Sequence, residues 1–320
     1  MPEEVRPEPL LDVCMISKTD IEAAYAKIKP YVRRTPILDI GGSVPGFEHV
    51  TLKLESLQHS GSFKARGAFN GLLSGTVPAS GVIAASGGNH GAAVAYAAQA
   101  LGIPAEIFVP TIASPAKVAR IARYGAQVRQ VGAQFAESLT ACEARRAETG
   151  ALSIHAYDQA STVVGQGSVG LEFAAQAELD VVLVAVGGGG LISGIAAWYA
   201  GTQTKVIAVE PENAPTLHAA LKAGQPVDVA VSGIAADSLG AKRIGNIAFE
   251  IARQHVASSV LVTDAAIKDA QRWLWQHCQL IAEPGGATVL AALLSGVSGV
   301  PRDAKIGLVI CGANCEPGQY

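Results

Sequence analysis

The sequence predicts an α/β protein built from two lobes of doubly wound parallel sheet, and three observations support this fold class. Hydrophobic residues make up 49% of the 320 residues and charged residues only 16%, which allows an ample core. Short β-branched runs alternate with alanine-rich helical segments from end to end. The β-branched runs lack polar alternation, as is typical of parallel strands that are covered on both faces. The chain length and the alternation together favour two lobes.

The first half of this alternation places strands and helices in a regular order. The predicted elements are a strand over 82–85, a helix over 92–101, a strand over 105–109, a helix from Ser114 to Gly125, a strand over 127–131 and a helix over about 136–148. Ser114 and Pro115 suit an N-cap and a first helical turn, whereas Gly102 and Gly125 are typical helix ends.

The second half repeats the pattern with four further strands. These are predicted over 181–186, 205–209, 259–263 and 305–310, with a helix over 192–199. Open parallel sheets bind ligands at the carboxyl ends of their strands. We therefore expect the functional residues in the glycine-rich turns that follow the strands.

A lysine at an unusual place is the first candidate functional residue. Lys64 lies in the segment Ser62-Phe63-Lys64, among small residues and where a helix is expected to begin. Burial and a helix N-terminus both lower the pKa of an amine. A neutral amine is a nucleophile that forms a Schiff base with an aldehyde. A solvated helix start is the simpler alternative when this segment is considered alone.

Four consecutive glycines, Gly187 to Gly190, follow a predicted strand and open a predicted helix. Their backbone N–H groups can converge on an anion, and the helix dipole adds positive potential. A P-loop is disfavoured because Leu191 and Ile192 stand where Gly-Lys would be needed. A dinucleotide site has a suitable acid in Glu210 but lacks the third glycine of its motif. A monophosphate cradle and a tight turn without a ligand remain as alternatives.

Composition excludes several other classes of protein. The net charge of −3 gives no basic footprint for nucleic acid, and no apolar run approaches the ~20 residues that span a bilayer. The acidic segment 1–6 is unlike a secretory signal, so we expect a cytoplasmic protein. The five cysteines have neither Cys-x-x-Cys nor metal-site spacing, and most are expected to be buried small side chains.

Four motifs in order resemble those of the fold type II pyridoxal-phosphate enzymes, closest to their serine/threonine dehydratase and serine racemase branch. They are Ser62-Phe63-Lys64, Ser86-Gly87-Gly88-Asn89-His90-Gly91, the tetraglycine, and Cys311-Gly312-Ala313-Asn314. The similarity runs from about Thr35 to near the C-terminus. It implies a tryptophan synthase β-like fold, with a large cofactor-binding domain over 1–74 and 156–320. A small substrate-loop domain would cover 75–155.

The resemblance also implies roles for individual residues. Lys64 would hold pyridoxal 5'-phosphate as a Schiff base, Phe63 would pack beside the ring, Asn89 would bind the ring hydroxyl, Gly187, Gly188, Gly189, Gly190 and Leu191 would bind the phosphate, and Cys311 would face the ring nitrogen. The loop formed by Ser86, Gly87, Gly88, Asn89 and His90 would bind the substrate carboxylate.

Each of these residues has a simpler alternative role. Cys311 suits a buried thiol at the end of a strand, His90 a helix N-terminus, and Asn89 a turn with positive φ. Glu283 suits either the rim of the cofactor site or an acid at a helix N-terminus. Related enzymes bind a cation after the strand that contains Glu210. Here Glu210 and the Ala214 carbonyl are the candidate ligands, which leaves room for a monovalent cation.

The expected reaction is β-elimination from L-threonine or L-serine, which gives a 2-oxo acid and ammonia, with Lys64 as the base at Cα. Gly87 stands where racemases carry a second serine, which favours elimination over racemisation. Ser238 replaces a glycine near the substrate side chain, which either shifts the preference toward a substrate such as 3-hydroxyaspartate or another β-hydroxy amino acid, or is a loop variation without consequence. Serine racemase and a cysteine synthase-like β-replacement enzyme remain alternatives. We expect a homodimer with a catabolic role, since no appended regulatory domain is expected after Tyr320.

Overall fold

The structure is a computed structural model that describes residues 16–316. Two predictions, on the segment 1–6 and on Cys14, lie outside these residues. The elements of the first half are α1 (Lys18–Ile28), β1 (Ile37–Asp39), β2 (His49–Lys53), α2 (Lys64–Leu73), β3 (Val82–Ala85), α3 (Asn89–Ala100), β4 (Ala105–Val109), α4 (Pro115–Ala122), β5 (Gln127–Gln130), α5 (Phe135–Thr149) and β6 (Leu152–Ser153).

The second half continues the alternation of helices and strands. Its elements are α6 (Ala160–Ala174), β7 (Val181–Ala185), α7 (Gly190–Tyr199), β8 (Lys205–Pro211), α8 (Thr216–Ala223), α9 (Ala236–Leu239), α10 (Asn246–His255), β9 (Val256–Val262), α11 (Asp264–Cys278), α12 (Pro284–Leu294) and β10 (Lys305–Val309).

The strands form two sheets, and this confirms the predicted α/β class with two parallel-sheet lobes. The larger sheet has the order β1-β2-β10-β7-β8-β9, and the smaller sheet has the order β5-β4-β3-β6. All pairings are parallel except that of β1 with β2, which is antiparallel. The smaller sheet lies between Val82 and Ser153. The exact domain boundaries at 74/75 and 155/156 stay a prediction.

Burial explains why the strands lack polar alternation. Every residue of β7 is buried, as are all but the first residues of β8 and β10, because helices cover both faces of the larger sheet. In contrast, β5 forms an edge of the smaller sheet and reads Gln-Val-Arg-Gln, with both glutamines exposed. The continuous apolar runs therefore mark the central strands.

Element boundaries differ from the predictions in a few places. The helix predicted to end at Gly125 ends at Ala122, and Gly125, with φ +76°, lies in the turn that follows. The helix predicted from 92 begins at Asn89, so the loop residues Asn89 and His90 form its first turn. The sequence did not predict β1 or β2, which form the antiparallel edge of the larger sheet. Within residues 16–316, no helix has the length and apolar character needed to cross a bilayer.

Candidate active site

Lys64 is the first residue of α2, and it faces a cavity at the carboxyl edge of the larger sheet. Its Nζ donates a hydrogen bond to the Ala156 carbonyl at 2.7 Å. Burial lowers the pKa of Lys64 to about 8, although Cys311 and Glu283 act in the opposite direction. About a tenth of the amine is therefore neutral at pH 7 and about half at pH 8, far more than for an ordinary lysine, and the neutral form is the nucleophile that the sequence predicts.

The turn before Lys64 is strained and is held by the segment that follows β10. Ser60 has φ +60° and Gly61 has φ +79°, so two successive residues adopt left-handed backbone angles. Hydrogen bonds from Phe63 N–H to the Cys311 carbonyl (3.1 Å) and from Ala313 N–H to the Gly61 carbonyl (3.0 Å) hold this turn. The same contacts bring the side chains of Lys64 and Cys311 to one cavity.

A fully buried network of charged side chains anchors helix α2 in the interior of the protein. The Arg66 guanidinium donates to both oxygens of Glu55 (2.7 and 2.8 Å) and to both oxygens of Glu172 (2.8 and 2.9 Å). Lys53 Nζ also donates to Glu172 at 2.8 Å and to the Thr35 carbonyl at 2.8 Å. Two cations and two carboxylates thus balance in the interior. Since Arg66 follows Lys64 by two residues, the network also fixes where α2 begins.

The tetraglycine forms an open backbone cradle at the start of α7. Gly189 has φ +91°, and a Cβ added to Gly190 would lie 3.0 Å from Tyr157 Cα, so side chains are excluded there. Within the described residues, the backbone N–H groups of Gly187 to Leu191 donate no hydrogen bond to any residue outside α7. These donors and the helix dipole converge on one point, which is the arrangement that binds a phosphate.

Asn89, Glu283 and Asn314 form a short chain of hydrogen bonds at the side of the cavity. Asn89 Nδ2 donates to Glu283 Oε1 at 2.6 Å, and Asn89 Oδ1 accepts from Asn314 Nδ2 at 2.6 Å. Asn314 Nδ2 also donates to the Ser60 carbonyl at 2.8 Å. Glu283 is the N-cap of α12, but its side chain makes no capping hydrogen bond. Glu283 thus lines the cavity and also stands at the start of a helix, so both alternatives that the sequence left open stay predictions.

The pKa values of Glu283 and Cys311 both differ strongly from their ordinary values. Burial raises the pKa of Glu283 to about 7, against the hydrogen bond from Asn89 and the charge of Arg120. Burial also raises the pKa of the Cys311 thiol far above its ordinary value, and the negative charge of Glu283 adds to this effect. Cys311 is therefore a neutral thiol at neutral pH.

These groups line one cavity at the carboxyl edge of the larger sheet. Its lining residues are Phe63, Lys64, Asn89, Tyr157, Ala185, Gly187, Gly188, Gly189, Gly190, Leu191, Ser238, Leu239, Glu283 and Cys311. All ten residues predicted to bind the cofactor thus surround one space, although their roles toward the cofactor stay predictions.

The predicted carboxylate loop lies beside this cavity, between β3 and α3. Gly88 N–H donates to Ser86 Oγ at 3.3 Å, and an added Cβ on Gly87 would be 3.7 Å from Val109 Cγ1. His90 points away from the cavity, and its Nε2 lies 2.8 Å from the Ile154 carbonyl. Burial lowers the pKa of His90 to about 3, so its ring is neutral. The side chain of His90 does not line the cavity, and the role of His90 in binding a carboxylate stays a prediction.

Glu210 and Ala214, the predicted cation ligands, lie between β8 and α8. The Glu210 carboxylate accepts hydrogen bonds from Leu217 N–H (2.7 Å), His218 N–H (2.8 Å), Thr216 Oγ1 (3.1 Å) and Ser259 Oγ (3.1 Å). Burial raises the pKa of Glu210 to about 7 despite these hydrogen bonds. The Ala214 carbonyl accepts from Thr216 N–H at 3.1 Å. The structure thus gives both groups protein partners, and a cation at this place stays a prediction.

Sequence reasoning missed three contributors to the site. Tyr157 packs against Gly188 and Gly190, and Leu239 packs against Gly187, so both side chains shape the glycine cradle. Asn314 orients Asn89, although the sequence identified it only as part of a motif. Tyr157 lies in a loop without any motif, so no local signal could have found it.

The residues present fit pyridoxal phosphate. An enclosed amine with a lowered pKa, a backbone cradle with free N–H donors and a neutral thiol at one cavity supply a partner for the aldehyde, the phosphate and the ring nitrogen. Of the four cysteines within residues 16–316, Cys142 and Cys311 are buried, and Cys278 and Cys315 are half-buried.

Comparisons with known proteins give a consistent result. The profile of the family described as "Pyridoxal-phosphate dependent enzyme" matches residues 28–312. A phenylserine dehydratase from Ralstonia pickettii is 38% identical over 309 residues, which cover 94% of each chain. An L-threonine ammonia-lyase from Thermotoga maritima is 37% identical over 94% of this chain and 76% of its own. The solved structure of maize serine racemase superimposes with a TM-score of 0.89 at 34% identity, over 94% of each chain.

Proposed function

This chain belongs to the family of pyridoxal-phosphate-dependent enzymes, and on that premise we propose that it removes the β-hydroxyl of a β-hydroxy amino acid as water, after which uptake of one water molecule releases a 2-oxo acid and ammonia. L-Threonine and L-serine are the reference substrates, and each gives a 2-oxo acid. The observation that carries the proposal is the pairing of Lys64, whose pKa is lowered to about 8, with a neutral thiol and a phosphate cradle at one cavity.

The cofactor and the protein residues have separate roles in the proposed reaction. When bound, pyridoxal phosphate supplies an electron-withdrawing ring that stabilises negative charge at the substrate Cα. Gly187 to Leu191 hold the phosphate through backbone N–H groups, and Phe63 packs beside the ring. Asn89, which Glu283 and Asn314 orient, binds the ring hydroxyl. These roles are proposed for the protein with the cofactor bound.

Lys64 is the base in this proposal. Its Nζ takes the proton from the substrate Cα, for which a pKa near 8 is well matched to neutral pH. The proton that Nζ then carries is available to the departing β-hydroxyl. No other ammonium group lines the cavity within the described residues.

Cys311 favours elimination over competing reactions. A neutral thiol is a weak hydrogen-bond partner and does not keep a ring nitrogen protonated as a carboxylate would. Negative charge at Cα is then less strongly stabilised and lasts a shorter time, so loss of the β-hydroxyl is favoured over transamination. The loop from Ser86 to His90 binds the substrate carboxylate through backbone N–H groups and so fixes Cα beside Lys64.

Serine racemisation is the second candidate function, since a solved relative carries that name. A racemase needs an acid on the face of Cα opposite Lys64, and Gly87 leaves that position without a hydroxyl. Space does not forbid a side chain there, because an added Cβ would make only ordinary contacts of 3.7 Å or longer. The missing hydroxyl therefore favours the lyase.

The remaining parts of the proposal concern the setting of the enzyme. We propose a cytoplasmic homodimer with a catabolic role, with a large domain over 1–74 and 156–320 and a small domain over 75–155. A monovalent cation would bind near Glu210 and Ala214. Size-exclusion chromatography with light scattering tests the dimer, and assays with K⁺ or Na⁺ test the cation.

A substrate panel tests the function itself. The purified protein, loaded with pyridoxal phosphate, is incubated with L-serine, L-threonine, phenylserine and 3-hydroxyaspartate, and the 2-oxo acid and ammonia are measured. Equal amounts of the two products from at least one substrate are expected. A protein that holds the cofactor but releases neither product would refute the proposal. Product formed only after a thiol donor is added would indicate β-replacement.

A further inference from the structure

Helix α4 of the smaller lobe meets the larger lobe beside the active-site cavity, and we call this junction the mouth of the cavity. Lys117 Nζ lies 2.5 Å from the carboxylate of Asp237, which belongs to the opposite lobe and lies 120 positions away in the chain. The next residue, Ser238, lines the cavity. The Asp237 carbonyl oxygen lies 3.7 Å from the position of a Cβ on Gly88, in the carboxylate loop. The Lys117 side of α4 therefore faces the place where the substrate enters.

Arg120 is on the same side of α4 as Lys117, three residues later. Residues three apart in a helix are about 60° apart around its axis, so the two cations point in similar directions. Arg120 is half-buried. Among the residues that the structure describes, its guanidinium forms no hydrogen bond or ion pair, and its charge lowers the pKa of Glu283 through space.

The charges at the mouth are not balanced. Lys117 is neutralised by Asp237, and Glu283 already accepts a hydrogen bond from Asn89 at 2.6 Å. Arg120 is left as a cation without a hydrogen-bonded anion. A guanidinium presents planar paired donors that match a carboxylate, and a half-buried one is less screened by water than an exposed one.

The opposite wall of the mouth is polar as well. Ser238 Oγ accepts a hydrogen bond from Gly285 N–H at 3.0 Å and donates to the Ala235 carbonyl at 3.3 Å. The hydroxyl is thereby held at the cavity wall, where it has a lone pair left for a further donor. This wall suits a polar substrate side chain better than an aromatic one.

We infer that Arg120 binds a carboxylate on the substrate side chain, so that the preferred substrate is a β-hydroxy amino acid with two carboxylates, such as 3-hydroxyaspartate. The loop from Ser86 to His90 would bind the α-carboxylate, and Arg120 would bind the second carboxylate across the mouth. This inference rests on the proposed function, because it names the substrate class of the same site.

Selectivity is the quantity to measure. The ratio of kcat/KM for 3-hydroxyaspartate to that for L-threonine is compared among wild type, Arg120→Gln, Arg120→Lys and Arg123→Gln. Arg123 is the matched control because it is the exposed C-cap of the same helix and lies over the Tyr124 ring. The wild-type ratio is expected to exceed about 10. Arg120→Gln should lower it by about 30-fold or more, Arg120→Lys should lower it less, and Arg123→Gln should leave it unchanged.

A binding measurement without turnover separates this inference from the proposed function. Calorimetry compares succinate with butyrate, which differ by one carboxylate, in wild type and in Arg120→Gln. Loss of the preference for succinate in Arg120→Gln alone supports the inference, even if no amino acid is turned over and the proposed function fails. A wild type that prefers threonine or phenylserine overturns the inference. An Arg120→Gln variant whose kcat/KM falls equally for all substrates also overturns it. So does an Arg120→Gln variant that binds succinate as tightly as wild type does.

Discussion

Asn89 Nδ2 lies 2.6 Å from Glu283 Oε1, although 194 positions separate the two residues in the chain. Asn89 begins α3 in the smaller lobe, whereas Glu283 caps α12 in the larger lobe. Asn314 completes the contact from the larger lobe at 2.6 Å. The amide of Asn89 is therefore oriented by partners that belong to the other lobe, and the cavity is shaped by how the lobes meet.

Removing Asn314 should loosen this contact. In Asn314→Ala, the Asn89 and Ser60 oxygens both lose a donor, so the free energy of unfolding should fall by about 1–3 kcal/mol and the affinity for the cofactor by about tenfold. Urea unfolding and cofactor titration measure the two effects. Asn246→Ala is the control, since Asn246 is exposed and donates only to Asp158. Equal effects of the two variants would contradict the role of Asn314.

Lys64→Ala should abolish both turnover and covalent attachment of the cofactor. Without Lys64, no amine lines the cavity within the described residues, so the covalent link cannot form and the proposed base at Cα is lost. Loss of the visible absorbance of the attached cofactor and loss of 2-oxo acid formation are measured, with Lys268→Ala, an exposed lysine of α11, as the control. Turnover by Lys64→Ala at more than about one thousandth of the wild-type rate would refute the assignment.

Glu283 should make the protein less stable as the pH rises. The pKa of Glu283 is about 7 in the folded chain, above its ordinary value of 4.5. Between these two pH values the folded chain binds more protons than the unfolded chain, so the free energy of unfolding falls as the pH rises from about 4.5 to about 7. Glu210, whose pKa is also raised to about 7, contributes with the same sign.

The substitution Glu283→Gln should reduce this fall, because glutamine keeps the shape but has no charge to desolvate. The reduction is at most roughly 3 kcal/mol for a pKa raised to about 7. Urea unfolding at pH 5, 6, 7 and 8 measures it. Glu22→Gln, on the exposed side of α1, serves as the reference. An unchanged pH profile in Glu283→Gln would show that the carboxyl group is not desolvated.

Gly87→Ser should introduce racemisation. The added hydroxyl would stand on the face of Cα opposite Lys64, and its Cβ makes only ordinary contacts, at 3.7 Å from Val109 and 3.8 Å from Ala113. D-Serine formed from L-serine, followed by chiral chromatography, is expected to rise by at least about tenfold relative to wild type. The control is Gly75→Ser, at a glycine with open space around it. If D-serine does not rise, the missing hydroxyl is not what separates this chain from a racemase.

Arg66→Met should destabilise the protein strongly. It would leave Glu55 and Glu172 buried with Lys53 as their remaining cation, and breaking such a network costs about 3–5 kcal/mol. Arg145→Met removes a partly exposed partner of Glu106 and should cost much less than Arg66→Met does. Chemical denaturation compares the two variants. Similar losses would mean that the buried network does not hold α2 in place.

Much of the fold could be predicted because its signals are local. The runs over 105–109 and 181–186 and the turns after them are set by neighbouring residues, and the structure confirms these strands to within one residue. In contrast, β1 was missed, since a three-residue strand carries no periodic signal and forms only by pairing with β2. The observed starts of two helices also differ from the predicted starts by two or three residues. The reason is that the start of a helix depends on the residues that pack against its first turn.

The sequence by itself determined which chemical groups are available: an amine among small residues, four glycines after a strand, and an asparagine and a cysteine at the ends of their motifs. These signals are readable because glycine, turn residues and strand ends act over a few neighbouring positions. Only the tertiary structure decided that Glu283 contacts Asn89 and that Lys117 pairs with Asp237. Such contacts join residues more than a hundred positions apart and depend on how two separately formed sheets pack together, which no local pattern encodes.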